Sequence, residues 1–208
     1  MRLGKWLLLI VTMSIISTGF AASRVYQIEV LVFAHPTTKT LLAENWAAHV
    51  VMPNVENAIQ LKPFDGATPK ALFQLLPDAQ FRLISSAKLA QLREQYQVLT
   101  QMAWSQTMAT PKQAPWIHIS GGSAVQVDGI LRISRPSLFQ IDANVVLTIP
   151  RATLQQIAPT AADKITATQF LLKQTVSLRA NQLYYLDHPL FGVLIKIIPT
   201  DEKTNEDQ

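Results

Sequence analysis

Apolar and polar positions alternate along most of the chain, and that two-residue period predicts strands. In RVYQIEVLVF (24–33), Tyr26, Ile28, Val30 and Val32 share one face. The other face mixes Gln27 and Glu29 with Leu31 and Phe33, so this strand is expected to be covered on both sides. Val98, Thr100, Met102 and Trp104 alternate on one face, and WIHIS (116–120) reads as another strand. The clearest pair is VQVDGILRIS (125–134) and SLFQIDANVVLTI (137–149), joined around Arg135-Pro136-Ser137. The first aligns Val125, Val127, Leu131 and Ile133; the second aligns Phe139, Ile141, Ala143, Val145, Leu147 and Ile149. An antiparallel hairpin with one face on the core follows. FLLKQTVSL (170–178), LYYL (183–186) and VLIKII (193–198) complete the strand series.

A helical period occurs once. Ser85 or Ser86 is placed to cap a helix that carries Leu89, Leu92 and Tyr96 on one face. Residues 36–80 are punctuated by Pro36, Pro53, Pro63, Pro69 and Pro77 and read as loops with short ordered pieces. Residues 150–168 have no strong period and are expected to form a surface connection. Gly121-Gly122 is expected to turn the chain, as is Asp187-His188-Pro189, with Asp187 accepting backbone N–H groups and Gly192 releasing the chain into the last strand. The expected fold is a single α+β domain over 22–200, mostly antiparallel sheet with one or two helices packed on a face. Residues 201–208 are expected to be a frayed polar tail.

The N-terminus changes the picture of where the domain works. Arg2 and Lys5 precede an apolar run from Trp6 to about Ile16, and Gly19 and Ala21 stand at −3 and −1 of an expected cut. The run is short of the ~20 apolar residues a spanning helix needs. We therefore expect residues 1–21 to be a cleaved secretory signal and the mature chain to have no stable membrane anchor. Without Arg2 and Lys5, 18 basic residues become 16 against 14 acidic, and the formal charge falls from +4 to +2. No basic cluster or stripe remains to bind nucleic acid. The absence of cysteine excludes disulfides, thiolate nucleophiles and a lipidated N-terminal Cys. These features together suggest a soluble protein of the bacterial periplasm.

Catalytic motifs find little support. Ser85 to Lys88 matches S-x-x-K, but the companion Ser-Asp-Asn and Lys-Thr-Gly elements are missing, and a helix cap explains the serine. There is no G-x-S-x-G elbow. His35, His49, His118 and His188 are scattered singly, so neither a metal nor another cofactor is expected. Asp128, Asp142 and Asp187 are acids without a predicted partner for glycoside hydrolysis. Trp46, Trp104, Trp116, Tyr184, Tyr185 and Phe191 could offer flat faces to sugar rings, although such residues more often pack in cores.

The closing stretch LYYLDHPLFGVLIKIIP (183–199) resembles the C-terminal signature of the CsiV family. RVYQIEVLVF resembles that family's mature start, Glu44-Asn45-Trp46 its acidic-x-Trp, and Ala103-Trp104-Ser105-Gln106 its Trp-x-Gln strand. The chain departs from the pattern at Tyr184-Tyr185, where the family has His-Tyr, and at Pro136–Gln140. The resemblance implies a small periplasmic protein that binds peptidoglycan and stimulates a peptidoglycan synthase by way of an outer-membrane lipoprotein activator. It implies no catalytic activity. Candidate binding residues are Trp104, Tyr185, Asp187 and His188. The rival readings are a cell-wall hydrolase using Asp187 and His188, and an interaction module with no affinity for the wall.

Overall fold

The computed structural model describes residues 24–64, 66 and 71–200. The leader expected at 1–21 and the tail expected at 201–208 lie outside the described residues. Among the described residues there are eight strands: β1 (Val25–Ala34), β2 (Gln97–Thr107), β3 (Trp116–Gly122), β4 (Gln126–Ser134), β5 (Phe139–Thr148), β6 (Gln169–Leu178), β7 (Leu183–His188) and β8 (Phe191–Pro199). All their pairings are antiparallel. The α+β class is as the alternation predicts, but the strands divide into two sheets, ordered β2-β1-β8-β7 and β3-β4-β5-β6. Gly121 and Gly122 belong to β3, so the turn falls one step later, at residues 123–125.

Followed around the molecule, each strand lies beside its sequence neighbour, and β8 returns to β1. The ladder breaks at two seams. At the β2–β3 seam, a Cβ on Gly121 would collide with the carbonyl oxygen of Leu99, so only glycine allows the approach. At the β6–β7 seam, Gln174 Nε2 donates to the Asp187 carbonyl at 3.2 Å. The proline-punctuated segment covers the open edges of β2 and β3. Ile59 N–H donates to Trp116 O and Ile59 O accepts from His118 N–H, while Phe73 and Leu76 N–H groups donate to Ser105 O and Ala103 O. Exposed strand edges invite association, and this segment blunts both.

The core lies between the sheets. Tyr26, Ile28, Val30, Trp104, Ile195 and Ile197 meet Ile117, Leu131, Ile133, Ile141, Leu147 and Phe170. The 150–168 segment is not a plain surface connection. It forms α3 (Arg151–Ile157) and α4 (Pro159–Ala162), which bury Leu154, Ala158, Ala161 and Ala162 in the same core, with Leu41 from α1 (Thr38–Leu41). Helices of 7 and 4 residues are too short to show a period in sequence.

The predicted helix, α2 (Ser86–Gln95), covers the outer face of the first sheet. Leu89, Leu92 and Tyr96 pack with Leu31, Phe33, Leu83, Val98 and Leu194. Ser85 Oγ accepts the Lys88 N–H at 3.3 Å, so the S-x-x-K match is a helix cap. The expected single face of β2 is split by a bulge. Phe33 pairs with Val98 but Val32 with Thr100, so Leu99 is inserted. Val98 therefore turns toward α2, while Met102 and Trp104 pair with Val30 and Ile28.

Glu29 is fully buried on that outer face. Both carboxylate oxygens accept the Arg82 N–H, at 2.9 and 2.8 Å, and Gln27 Nε2 donates to Oε1 at 2.5 Å. Burial raises the Glu29 pKa, against the lowering effect of the Arg82 and Gln27 hydrogen bonds. The contact ties the 80–83 segment, which leads into α2, onto β1. Glu29→Ala leaves the Arg82 N–H without its acceptor and is expected to cost about 1–3 kcal/mol. A urea titration should show a lower midpoint with little change in slope. Glu29→Gln, which keeps one acceptor oxygen, should lose less.

Candidate functional site

The C-terminal block forms the β7–β8 hairpin. Asp187 pairs with Gly192 and His188 with Phe191, so both residues lie in the strand and only Pro189-Leu190 turns. The expectation of an Asp-His-Pro turn held by Asp187 is therefore corrected. His188 supports the turn instead: its Nδ1 accepts the Leu190 N–H at 3.2 Å. Leu190 O in turn accepts the His35 N–H at 2.9 Å, docking the hairpin on the end of β1.

Successive strand residues point to opposite faces. Tyr184, Leu186 and His188 turn inward, and Leu183, Tyr185 and Asp187 turn outward. His188 is only 8% exposed. Its ring lies 4.6 Å from that of Phe191 and stacks on Trp46 at 5.5 Å. Trp46 is fixed by its own N–H bond to Leu41 O at 2.6 Å and by an edge contact with Phe170. Burial pushes the His188 pKa down to about 4; Asp187 pulls the other way, and His35 adds to the depression. His188 is thus a neutral core histidine. Asp187 accepts the Tyr185 hydroxyl at 2.8 Å. The two residues adjacent in sequence do not form an acid–histidine dyad.

Trp104 is also corrected as a candidate binding residue. It is fully buried between the sheets and has no face for a ligand ring. Its indole N–H donates to Gln106 Oε1 at 2.8 Å, and Gln106 Nε2 reaches Ile133 O of the opposite sheet at 3.3 Å. The Trp-x-Gln spacing, which puts both side chains on one strand face, carried the signal for this pair.

Tyr185 is placed differently. It is 48% exposed, and its ring stacks on Phe33 at 6.0 Å with 9° between planes. Gly192 makes room beneath it: a Cβ there would collide with Tyr185 Cε2 and come within 2.8 Å of Phe33 Cζ. Tyr96 meets Phe33 edge-on at 5.1 Å and His35 at 5.5 Å. Burial raises the Tyr185 pKa, and the hydrogen bond to Asp187 raises it further, so the phenol stays a donor. The result is a flat aromatic surface with a carboxylate at its edge.

The outer face of the second sheet carries polar pairs that single-strand patterns did not reveal. Trp116, Arg132, Asp142 and Thr175 stand in one row across four strands. The Arg132 guanidinium lies 4.5 Å from the Trp116 ring centre and donates to Asp142 Oδ2 from Nε at 3.0 Å and Nη2 at 2.8 Å. Burial alone would raise the Asp142 pKa; hydrogen bonds from Thr175, Arg132 and Gln140 outweigh it and hold the carboxyl below its ordinary value. His118 lies 2.7 Å from Asp128 through Nε2 and 2.7 Å from Gln60 through Nδ1. Both ring nitrogens therefore have hydrogen-bond partners.

One pocket among the described residues, lined by Leu75, Pro77, Asp78, Phe81 and Ala103, holds about 80 Å³. Small-molecule sites usually occupy roughly 300–1,000 Å³. Among the described residues, no group of three or more His, Cys, Asp or Glu could hold a metal ion, and no helix is long and apolar enough to cross a membrane.

The His188 environment makes an acid-side prediction. Its folded pKa lies below the ordinary value of 6.5, so the unfolded chain takes up the proton first as pH falls. Stability should be complete above about pH 6.5 and fall toward pH 4, by up to roughly 1.4 kcal/mol per pH unit. His188→Asn keeps an acceptor for Leu190 but cannot titrate. Urea unfolding at pH 7.5 and pH 5 should show a smaller acid loss in this variant than in wild type; an equal loss would refute the assignment.

No curated protein and no solved structure matches the chain. A family model described as "Peptidoglycan-binding protein, CsiV" matches residues 5–200, which include every strand of both sheets and the outward Tyr185–Asp187 rim, and the chain belongs to that CsiV family.

Proposed function

We propose that this chain is a periplasmic, non-enzymatic adaptor that binds peptidoglycan and regulates wall synthesis through a synthase and its outer-membrane lipoprotein activator. Family membership supports peptidoglycan binding and points to the periplasm. The observation that carries the adaptor reading is the divergence of Asp187 and His188 onto opposite faces of β7. One holds a tyrosine hydroxyl and the other is a buried neutral ring, so this block favours presentation of a surface over proton transfer. The surface is braced by strand pairing: β7 is tied to β8 along its length and β8 to β1.

The test is co-sedimentation of the exported chain with purified sacculi. Aromatic and neutral hydrogen-bond contacts are weakly screened by salt, so the pellet fraction should persist as ionic strength rises. Recovery in the supernatant at every salt concentration would remove direct wall binding. The same incubation should release no soluble muropeptides; release that is lost in His188→Ala would establish a hydrolase instead. Cross-linking in intact envelopes should join the chain to a lipoprotein, and its absence would remove the regulatory part alone.

A further inference from the structure

We propose that Tyr185 and Asp187, seated over Phe33 and Gly192, form a subsite for one N-acetylated sugar ring of the glycan strand. This deepens the peptidoglycan-binding reading above and rests on it. The first argument is geometric. A pyranose ring offers an apolar C–H face rimmed by hydroxyls, and a flat aromatic ring with acceptors at its edge complements it. Tyr185 has that form. One ring face is occupied by Phe33 and Gly192, while the residue as a whole stays 48% exposed. Its hydroxyl is oriented by Asp187 Oδ1, so the plane is held before any ligand arrives.

The second argument is chemical. With Oδ1 engaged by the phenol, Asp187 Oδ2 can accept a sugar hydroxyl or an acetamido N–H, and the phenol oxygen can accept another. The rival ligand within the same polymer is the stem peptide, which is rich in carboxylates. A carboxylate at the rim repels it. Arg132, a cation with an arranged partner and an aromatic ring, is on the other sheet and already bound to Asp142. The rim therefore selects a neutral, donor-rich ring.

The geometry also explains why glycine stands at 192. A Cβ at that position would lift the Tyr185 ring from its seat, so Gly192→Ala perturbs the subsite from below without touching its outer face.

The experiment is a heteronuclear NMR titration of the full exported chain with chitotetraose, a tetramer of β-1,4-linked N-acetylglucosamine, and separately with a synthetic stem peptide. Chitotetraose should shift the backbone signals of 33–35, 96 and 185–192, and the peptide should leave them in place. Tyr185→Ala should weaken the sugar roughly three- to tenfold; Tyr185→Phe should weaken it less, since the plane remains and only the Asp187 tether is lost. Gly192→Ala, measured at matched folding, should weaken it in the same direction. Peptide-induced shifts at these residues without sugar-induced ones would overturn the proposal, as would chitotetraose affinity unchanged in Tyr185→Ala. Sacculus pelleting that is equal in wild type and Tyr185→Ala would sink the subsite and leave the wider function intact. Sugar shifts at the rim in a protein that never pellets with sacculi would do the reverse.

Discussion

The pairing of the first strand with the last is the constraint on which the rest of the structure depends. β1 meets β8 from Tyr26–Pro199 to Ala34–Phe191, and Thr200 adds two further bonds to Val25 O. β1 is buried along nearly its whole length, between β2 and β8. The second sheet is a meander of consecutive strands and can form from local contacts. The first sheet cannot be completed until both ends of the domain are in place, which carries a loop-closure cost and places it late in assembly.

That pairing also decides which side of β7 faces solvent. Phe33, Gly192 and Asp187 stand in one row on the outer face; Ala34, Phe191 and His188 stand in the next, on the inner face. A one-residue slip would exchange the two rows. It would bury a carboxylate and expose a histidine whose burial is compensated by Trp46 and Phe191. Side-chain chemistry and register therefore agree: the group that tolerates desolvation is inside, and the acid is outside. Buried polar groups reinforce the same register. Gln106 spans the two sheets, and Glu29 holds the 80–83 segment to β1. Each is satisfied by a specific backbone group, so a shifted strand would strand it without a partner.

Much of this was legible in the sequence because alternation is local. The strands at 24–33, 125–134, 137–149 and 170–178, the helix at 85–96 and its Ser85 cap all follow from spacing within one segment. What could not be read depends on partners far along the chain. Two sheets in place of one, the Leu99 bulge, the Asp128–His118 contact and the Trp116–Arg132–Asp142–Thr175 row are products of cross-strand register. The short helices α3 and α4 were missed for a different reason: alanine fills a small core gap without leaving an apolar period. Asp187-His188 was misread because turn chemistry and strand parity compete at the same residues. The pairing with Gly192 and Phe191 won.

The candidate site shows why resemblance and chemistry sort residues differently. Of the side chains that carried the family likeness, Trp46 and His188 stack on each other, and Trp104 and Gln106 bridge the sheets. They are joints of the frame: Trp46 meets His188, and Gln106 meets Ile133 O, only after folding. Tyr185 and Asp187 share the same block but occupy the opposite parity, and the frame is what keeps them flat and exposed. Presenting two side chains in this way needs no mobile lid and no deep cavity. It needs a strand whose inward residues are so well anchored that its outward ones do not move. In β7 the anchors are Leu186 and His188, and the outward positions between and beside them are Tyr185 and Asp187. The outward presentation of the rim is thus a consequence of core packing one residue away.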